Sequence, residues 1–259
     1  MNIILFSQKD FYDEQISSAL KNGSENRFVF FKNDERYIHI KKILKLSEGE
    51  IFKAGLINGK IGSAHIHNFS EEKIVFSFTE TAEPLPLPPV KLILGFPRPI
   101  QLKRILRDAA SLGVSELSLA VTELGEKSYL NSTLSAAGEI EKYLLDGISQ
   151  AGQTLLPRVF FYNSLKAVLQ NLRYPAAPLQ TEKIILDIEE TAEPLSKFKI
   201  DKNGTVIAAI GNERGWTETE RRLFQDAGFK TYSMGKRILR TETAVCAALS
   251  VICSNSGFW

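Results

Sequence analysis

The chain has 259 residues, 44% hydrophobic and 24% charged, with a formal net charge of +2 at pH 7. That is ordinary for a globular protein and long enough for a sizeable core in one large or two modest domains. No apolar run approaches the about 20 residues that cross a bilayer. The opening MNIILFSQKD has no basic leader, and its apolar run is too short for a secretory signal. A cytoplasmic protein with no membrane partner is expected. The small positive charge is compatible with an RNA partner but decides nothing, since binding needs local charge.

Residues 1 to about 78 read as strand-rich. Short apolar stretches fall at Phe28–Phe31, Ile51–Ile57, Lys60–Ile66 and Lys73–Phe78. Asn58-Gly59 between two of them is a strong hairpin signal. A helix is expected between Asp34 and Leu46, with Ile40, Ile43 and Leu44 as its apolar stripe and Gly49 just beyond. Lys41, Lys42 and Lys45 make a basic face on it. A small β-barrel or sandwich is the expected result. His65 and His67 share a strand face, but no third ligand lies nearby, so no metal site is expected.

Phe78 to Val90 contains Pro84, Pro86, Pro88 and Pro89. Such a stretch is extended and stiff and cannot enter a sheet interior. The expected division is a domain over 1–78, a linker over 79–89 and a second domain over 90–259. The hexapeptide ETAEPL occurs at 80–85 and 190–195, too little for a repeat architecture.

From Val90 the pattern becomes strand, helix, strand, helix. Strands are expected at Lys91–Phe96, Leu117–Val121, Val159–Tyr162, Lys183–Leu186, Thr205–Ile210 and Phe229–Tyr232. Helices are expected at Gln101–Leu112, Ala137–Ala151, Ser164–Leu172, from Thr217 with Glu220 completing a capping box, and at Thr241–Cys253. This alternation predicts an α/β domain with a mainly parallel sheet covered on both faces. Cys246 and Cys253, about 10 Å apart on one helix, are too distant for a disulfide and read as buried small apolar residues. Lys103, Arg104 and Arg107 form a second basic cluster, and Lys103 and Arg107 share a helix side. Both clusters have the form that phosphate contacts need, and solvated helix faces also look like this.

Two segments carry the functional signal. IGNERGWTETE, from Ile210 to Glu220, is a strand, a glycine turn, a charged loop and a capped helix. MGKRILRTETA, from Met234 to Ala244, repeats that logic. Glycine turns at strand ends of an open α/β sheet are where small ligands bind, although Gly211 and Gly235 would also suit ordinary strand-to-helix turns.

These segments resemble the signature of the SPOUT-class bacterial 16S ribosomal RNA uridine-N3 methyltransferases, roughly I-G-P-E-G-G-F-S-x-x-E and L-G-x-R-I-L-R-x-E-T-A. The second matches from Met234, for Leu, through Ala244. The first keeps Ile210, Gly211, Glu213, Gly215, Thr217 and Glu220 and differs at Asn212 (for Pro), Arg214 (for Gly) and Trp216 (for Phe). Weaker likeness runs through IHIKKILKLSEGE at 38–50, RILRDAASLGV at 104–114 and SQAGQTLLP at 149–157, where Gln153 replaces Arg. A side chain at 214 would be unfavourable if the turn needs φ > 0 there, and Asn212 tolerates left-handed backbone better than most residues.

The resemblance implies a C-terminal α/β knot domain and an N-terminal PUA-like RNA-binding β domain. It implies S-adenosylmethionine as cofactor, ribosomal RNA or the small subunit as substrate, and a homodimer with knot-domain helices packed across the two-fold. Leu186, Ile210, Gly211, Met234, Gly235, Ile238 and Leu239 would supply the turns and apolar walls of the cofactor pocket. Arg240 would stabilise the uracil anion, and Glu213 would take the N3 proton. Glu242, at a helix start, is a weaker candidate for the base. Arg240 could instead bridge to an acidic loop residue, and Glu213 could pair with Arg237 or Arg240. Lys41, Lys42, Lys45, Lys103, Arg104 and Arg107 would contact RNA phosphates. The alternatives are a related methyltransferase with another target, an RNA-binding ribosome-assembly module with decayed catalysis, and an unrelated nucleotide-binding α/β enzyme. The absence of a Gly-Lys-Ser/Thr phosphate loop counts against the last.

Overall fold

The computed structural model describes residues 2–12, 26–129, 138–172, 180–189 and 192–259. The first residue of the helix expected from Ala137 lies outside the described residues. Two compact units emerge: Met1–Pro86 with Ile148–Leu155, and Leu87–Gly147 with Leu156–Trp259. No helix among the described residues is long and apolar enough to cross a membrane.

The first unit is built on a five-stranded sheet. Its strands are β1 (Ile4–Phe6), β2 (Arg27–Phe31), β3 (Ile51–Leu56), β4 (Ile61–Phe69) and β5 (Lys73–Ala82), in the order β1-β3-β4-β5-β2. Only the β1–β3 pair is parallel. Along β4, Gly62, Ala64 and Ile66 are buried and alternate with more exposed neighbours, the period-2 signature of a sheet with one face on a core. That core is aromatic: Phe6 lies 4.5 Å from Phe28, and Phe30 lies 4.8 Å from Phe76, between ring centroids. The Asn58-Gly59 hairpin forms as expected, with Asn58 at φ 57°.

The basic helix differs from its expectation. A regular turn, α1 (Glu35–His39), starts from an Asp34 cap and runs into a wider turn over Ile40–Leu44, where the Leu46 N–H reaches back to the Ile40 carbonyl. The wider winding shifts the register, so Tyr37 and Ile40 are buried while Ile43 is 67% and Leu44 40% exposed. Strand β1 has no counterpart in the sequence reading. Strand β5 continues to Ala82, past the apolar run ending at Phe78, because backbone pairing with β4 does not require buried side chains at its exposed end.

Residues Ile148–Leu155 belong to this unit through polar bonds that hydrophobic pattern does not reveal. Ser149 Oγ donates to the Ile3 carbonyl at 2.6 Å, and Thr154 Oγ1 to that of Gly59 at 2.5 Å. Gln153 accepts the Leu85 N–H at 3.1 Å.

The second unit is a seven-stranded, wholly parallel sheet. Its strands are β6 (Val90–Gly95), β7 (Glu116–Ala120), β8 (Arg158–Tyr162), β9 (Thr181–Leu186), β10 (Glu193–Pro194), β11 (Thr205–Ile210) and β12 (Lys230–Ser233), in the order β10-β12-β9-β11-β6-β7-β8. Every residue of β7 and β11 is buried, as expected of parallel strands covered on both faces. Ile207, Ala209, Trp216, Phe224 and Phe229 cluster with α4 (Leu165–Gln170) and α5 (Glu218–Asp226). Helix α6 (Thr241–Asn255) packs on β11 and on α2 (Pro99–Ser111). Gly147 in α3 (Glu139–Ala151) allows close approach to α2: a Cβ there would lie 2.3 Å from the Arg107 carbonyl oxygen. Cys253 is buried, but Cys246 is only half-buried and lies 3.4 Å from Asp108, which departs from the expectation that both were buried.

Candidate active site

Strands β12, β9 and β11 are neighbours, so the loops leaving their C-terminal ends converge, the usual place for a ligand in an open α/β sheet. They enclose a pocket of about 290 Å³. Leu186, Asp187 and Ile188 contribute from the first loop, Ile210 to Trp216 from the second, and Met234, Gly235, Arg237, Ile238 and Leu239 from the third. Arg221, Thr241 and Ala244 complete the lining.

The loop after β9 is fixed at Asp187. Its N–H donates to the Tyr232 carbonyl at 3.0 Å, and its carboxylate accepts from Arg221 Nε at 2.8 Å and from the Ile188 N–H at 2.8 Å.

The turn after β11 closes with the Gly215 N–H on the Asn212 carbonyl at 3.0 Å. Gly215 takes the left-handed position, at φ +69°. Among the described non-glycine residues only Lys45 and Asn58 have positive φ, so Arg214 fits without backbone strain. Gly211 packs closely on the turn: a Cβ there would sit 3.0 Å from Gly215 Cα, a tight contact with backbone. The turn is tied outward at each polar residue. Asn212 donates to Thr122 Oγ1 at 2.9 Å, Glu213 Oε1 accepts the Arg98 N–H at 3.0 Å, and Arg214 donates to the Leu124 carbonyl at 3.3 Å.

In the third loop, Gly235 adopts φ +103° and nothing lies within 4 Å of where its Cβ would be. The backbone there faces open space. Ile238 is 84% exposed.

The seven residues expected to hold a cofactor, Leu186, Ile210, Gly211, Met234, Gly235, Ile238 and Leu239, all line this one pocket, and Glu213 lines it too. Arg240 lies outside the lining, exposed at the cap of α6 without a side-chain capping bond. Arg214, Arg221 and Arg237 are the guanidinium groups that line the pocket. Glu242 is in the first turn of α6, 3.5 Å from Arg104. Asp187, Ile188 and Arg221 were missed from sequence. Their only signal is the adjacency of β9 and β11, which the sheet order supplies.

The basic candidates fall in two places. In the first unit, Lys42 and Lys45 are exposed, while Lys41 pairs with Glu71 at 2.6 Å and lies over the Tyr37 ring. On α2, Lys103 and Arg107 both lie over the Tyr143 ring, Arg107 also bridges Asp146 at 2.6 Å, and Arg104 faces Glu242. His67 Nε2 is 2.8 Å from Ser77 Oγ, and no group of three or more His, Cys, Asp or Glu among the described residues could hold a metal.

Residues 83–253 match the RNA methyltransferase domain family. The chain is 42% identical to a ribosomal RNA small subunit methyltransferase E of Treponema pallidum, covering 100% of this chain and 93% of that one. It is 34% identical to ribosomal RNA small subunit methyltransferase E 1 of Borreliella burgdorferi, covering 86% of this chain and 91% of the other. Its fold resembles that of a ribosomal RNA small subunit methyltransferase E from Neisseria gonorrhoeae solved with S-adenosyl methionine, with a TM-score of 0.72 at 21% identity over 97% of each chain. The parallel sheet, its pocket of glycine turns and these similarities lead to one assignment: the chain belongs to the ribosomal RNA small subunit methyltransferase E family of RNA methyltransferases.

Proposed function

We propose that this protein transfers a methyl group from S-adenosylmethionine to N3 of a uridine in small-subunit ribosomal RNA. The observation that carries the reading is the pocket at β9, β11 and β12, which gathers on three neighbouring loops every residue expected to hold the cofactor. The donor fits what is there. Leu186, Ile210, Met234 and Leu239 offer apolar walls for a flat base. Gly211 and Gly235 both line the pocket, and the space beside Gly235 is one a side chain would fill. The bound cofactor supplies an electrophilic methyl on a sulfonium.

The protein's work is then orientation and charge. The methyl–sulfur bond breaks as the methyl–N3 bond forms, and the N3 proton must leave. Glu213 is the proposed acceptor of that proton, its carboxylate steadied by the Arg98 N–H. Arg240 is the proposed cation that stabilises the uracil anion. The first unit is the proposed PUA-like RNA-binding domain, with Lys41, Lys42 and Lys45 on phosphates, and Lys103, Arg104 and Arg107 of the second unit adding contacts. A knotted second unit and a homodimer belong to the same proposal, and a ribosomal substrate sets the reaction in the cytoplasm.

Titration calorimetry with S-adenosylmethionine tests the pocket. The native protein binds, and Gly235→Val, whose side chain enters the open space, does not. Failure of the native protein to bind, or undiminished binding by Gly235→Val, contradicts the reading.

A further inference from the structure

We propose that Thr122 and Asn212 form a positioning pair that holds the turn Gly211–Gly215 in the shape that binds cofactor. This rests on the cofactor reading above and adds to it a residue, Thr122, that does not line the pocket.

Both side chains are buried, at 4% and 8% exposure. Asn212 uses both ends of its carboxamide. Nδ2 donates to Thr122 Oγ1 at 2.9 Å, and Oδ1 accepts the Arg214 N–H at 2.9 Å. One side chain therefore sets the inside of the turn and ties it to the loop leaving β7, 90 residues away in sequence. Two glycines, one in the same loop as Thr122 and one at the end of β6, keep the space for this contact clear. A Cβ on Gly125 would lie 2.8 Å from Thr122 Oγ1 and 3.2 Å from Asn212 Nδ2. A Cβ on Gly95, which ends β6, would lie 2.7 Å from Asn212 N and 3.0 Å from Thr122 Cγ2.

Asn212 stands where the resembling signature has proline. Proline fixes φ but carries no carboxamide and no backbone N–H. Here a buried hydrogen bond does the fixing instead. Losing the Thr122 hydroxyl would leave Nδ2 buried without a partner, and such groups are expensive. The turn would move to find one, taking with it the Gly211 and Glu213 backbone that borders the pocket.

The test measures S-adenosylmethionine affinity by calorimetry beside the melting temperature of the free protein. Thr122→Val removes the hydroxyl at nearly constant volume, and Thr122→Ser keeps it. Affinity in Thr122→Val is expected to fall about tenfold, the scale of one lost buried hydrogen bond, and Thr122→Ser is expected to bind like the native protein. Thr122→Val added to Asn212→Ala should cost no further affinity, because the two residues act through one contact. Should Thr122→Val fail to fold, Thr122→Ala replaces it with the same expected loss. Native binding with unchanged affinity in the hydroxyl-free variant, whatever its melting temperature, overturns the positioning role alone. Equal losses in Thr122→Val and Thr122→Ser also overturn it. Absence of binding by the native protein overturns the cofactor reading together with it.

Discussion

The Glu220 carboxylate accepts the backbone N–H of Glu123 at 2.9 Å, across 97 residues of sequence. Its other oxygen accepts the Thr217 N–H at 3.0 Å, and the residue is 1% exposed. One side chain thus caps α5 and anchors the loop after β7. Glu220→Gln has one acceptor oxygen for these two part-buried hydrogen bonds. It should lower stability by about 1–3 kcal/mol, read as a shift in urea midpoint at unchanged slope. An unshifted midpoint would show that neither bond matters to folding.

Arg36 does comparable work in the first unit. It bonds Asp10 at 2.7 Å and Asp34 at 2.6 Å, donates to the Leu5 carbonyl and lies 4.1 Å over the Phe30 ring. Burial alone would raise the Asp34 carboxyl, but the hydrogen bonds and charge of Arg36 outweigh it and hold the pKa below its ordinary value. A depressed carboxylate adds stability above its unfolded pKa of about 3.9, and this is lost as pH falls through the lower folded value. Arg36→Ala should cost about 2 kcal/mol at pH 7 and flatten the acid limb of a stability–pH curve. An acid limb as steep as that of the native protein would place the pH sensitivity elsewhere.

For RNA, replacing Lys41, Lys42 and Lys45 together with Ala should weaken binding about equally across related sequences. The slope of log K against log salt should shrink by about 2, at roughly 0.7 per single-strand phosphate contact. Lys41 already holds Glu71, so the single variants should rank Lys42 and Lys45 above it. Filter binding over a salt series measures this, and an unchanged slope would remove this face from the interface.

Arg240 is the proposed cation for the uracil anion. Arg240→Ala should lower turnover by about 100-fold or more, the scale of a lost transition-state donor, with cofactor affinity and the mass by light scattering unchanged. Normal turnover would end its catalytic role. Dissociation into monomers would show a structural one, and the cation would then be sought at Arg214 or Arg237, which line the pocket.

The legible parts were those where a period or a turn has one physical meaning. Buried parallel strands showed as runs such as TVIAAI at Thr205–Ile210, and Asn58-Gly59 marked its hairpin. The glycines at 211, 215 and 235 were legible in place, but their reasons appear only in space: a close approach, a left-handed turn residue and an open wall. The wide turn at Ile40–Leu44 was not legible, because its residues fit a regular amphipathic helix equally well. Nor was the Arg221–Asp187 bond, since two charged residues 34 apart give no sign that α5 and the end of β9 meet. The polar ties of Ile148–Leu155 to the first unit escaped for the same reason.

The most direct test of the central claim is to incubate the protein with isotopically methyl-labelled S-adenosylmethionine and small ribosomal subunits lacking the modification, then digest the RNA to nucleosides and separate them by mass spectrometry. The account predicts the labelled methyl in N3-methyluridine and an equal amount of unlabelled S-adenosylhomocysteine. No label in RNA, or label on a ribose or on another base, would contradict it.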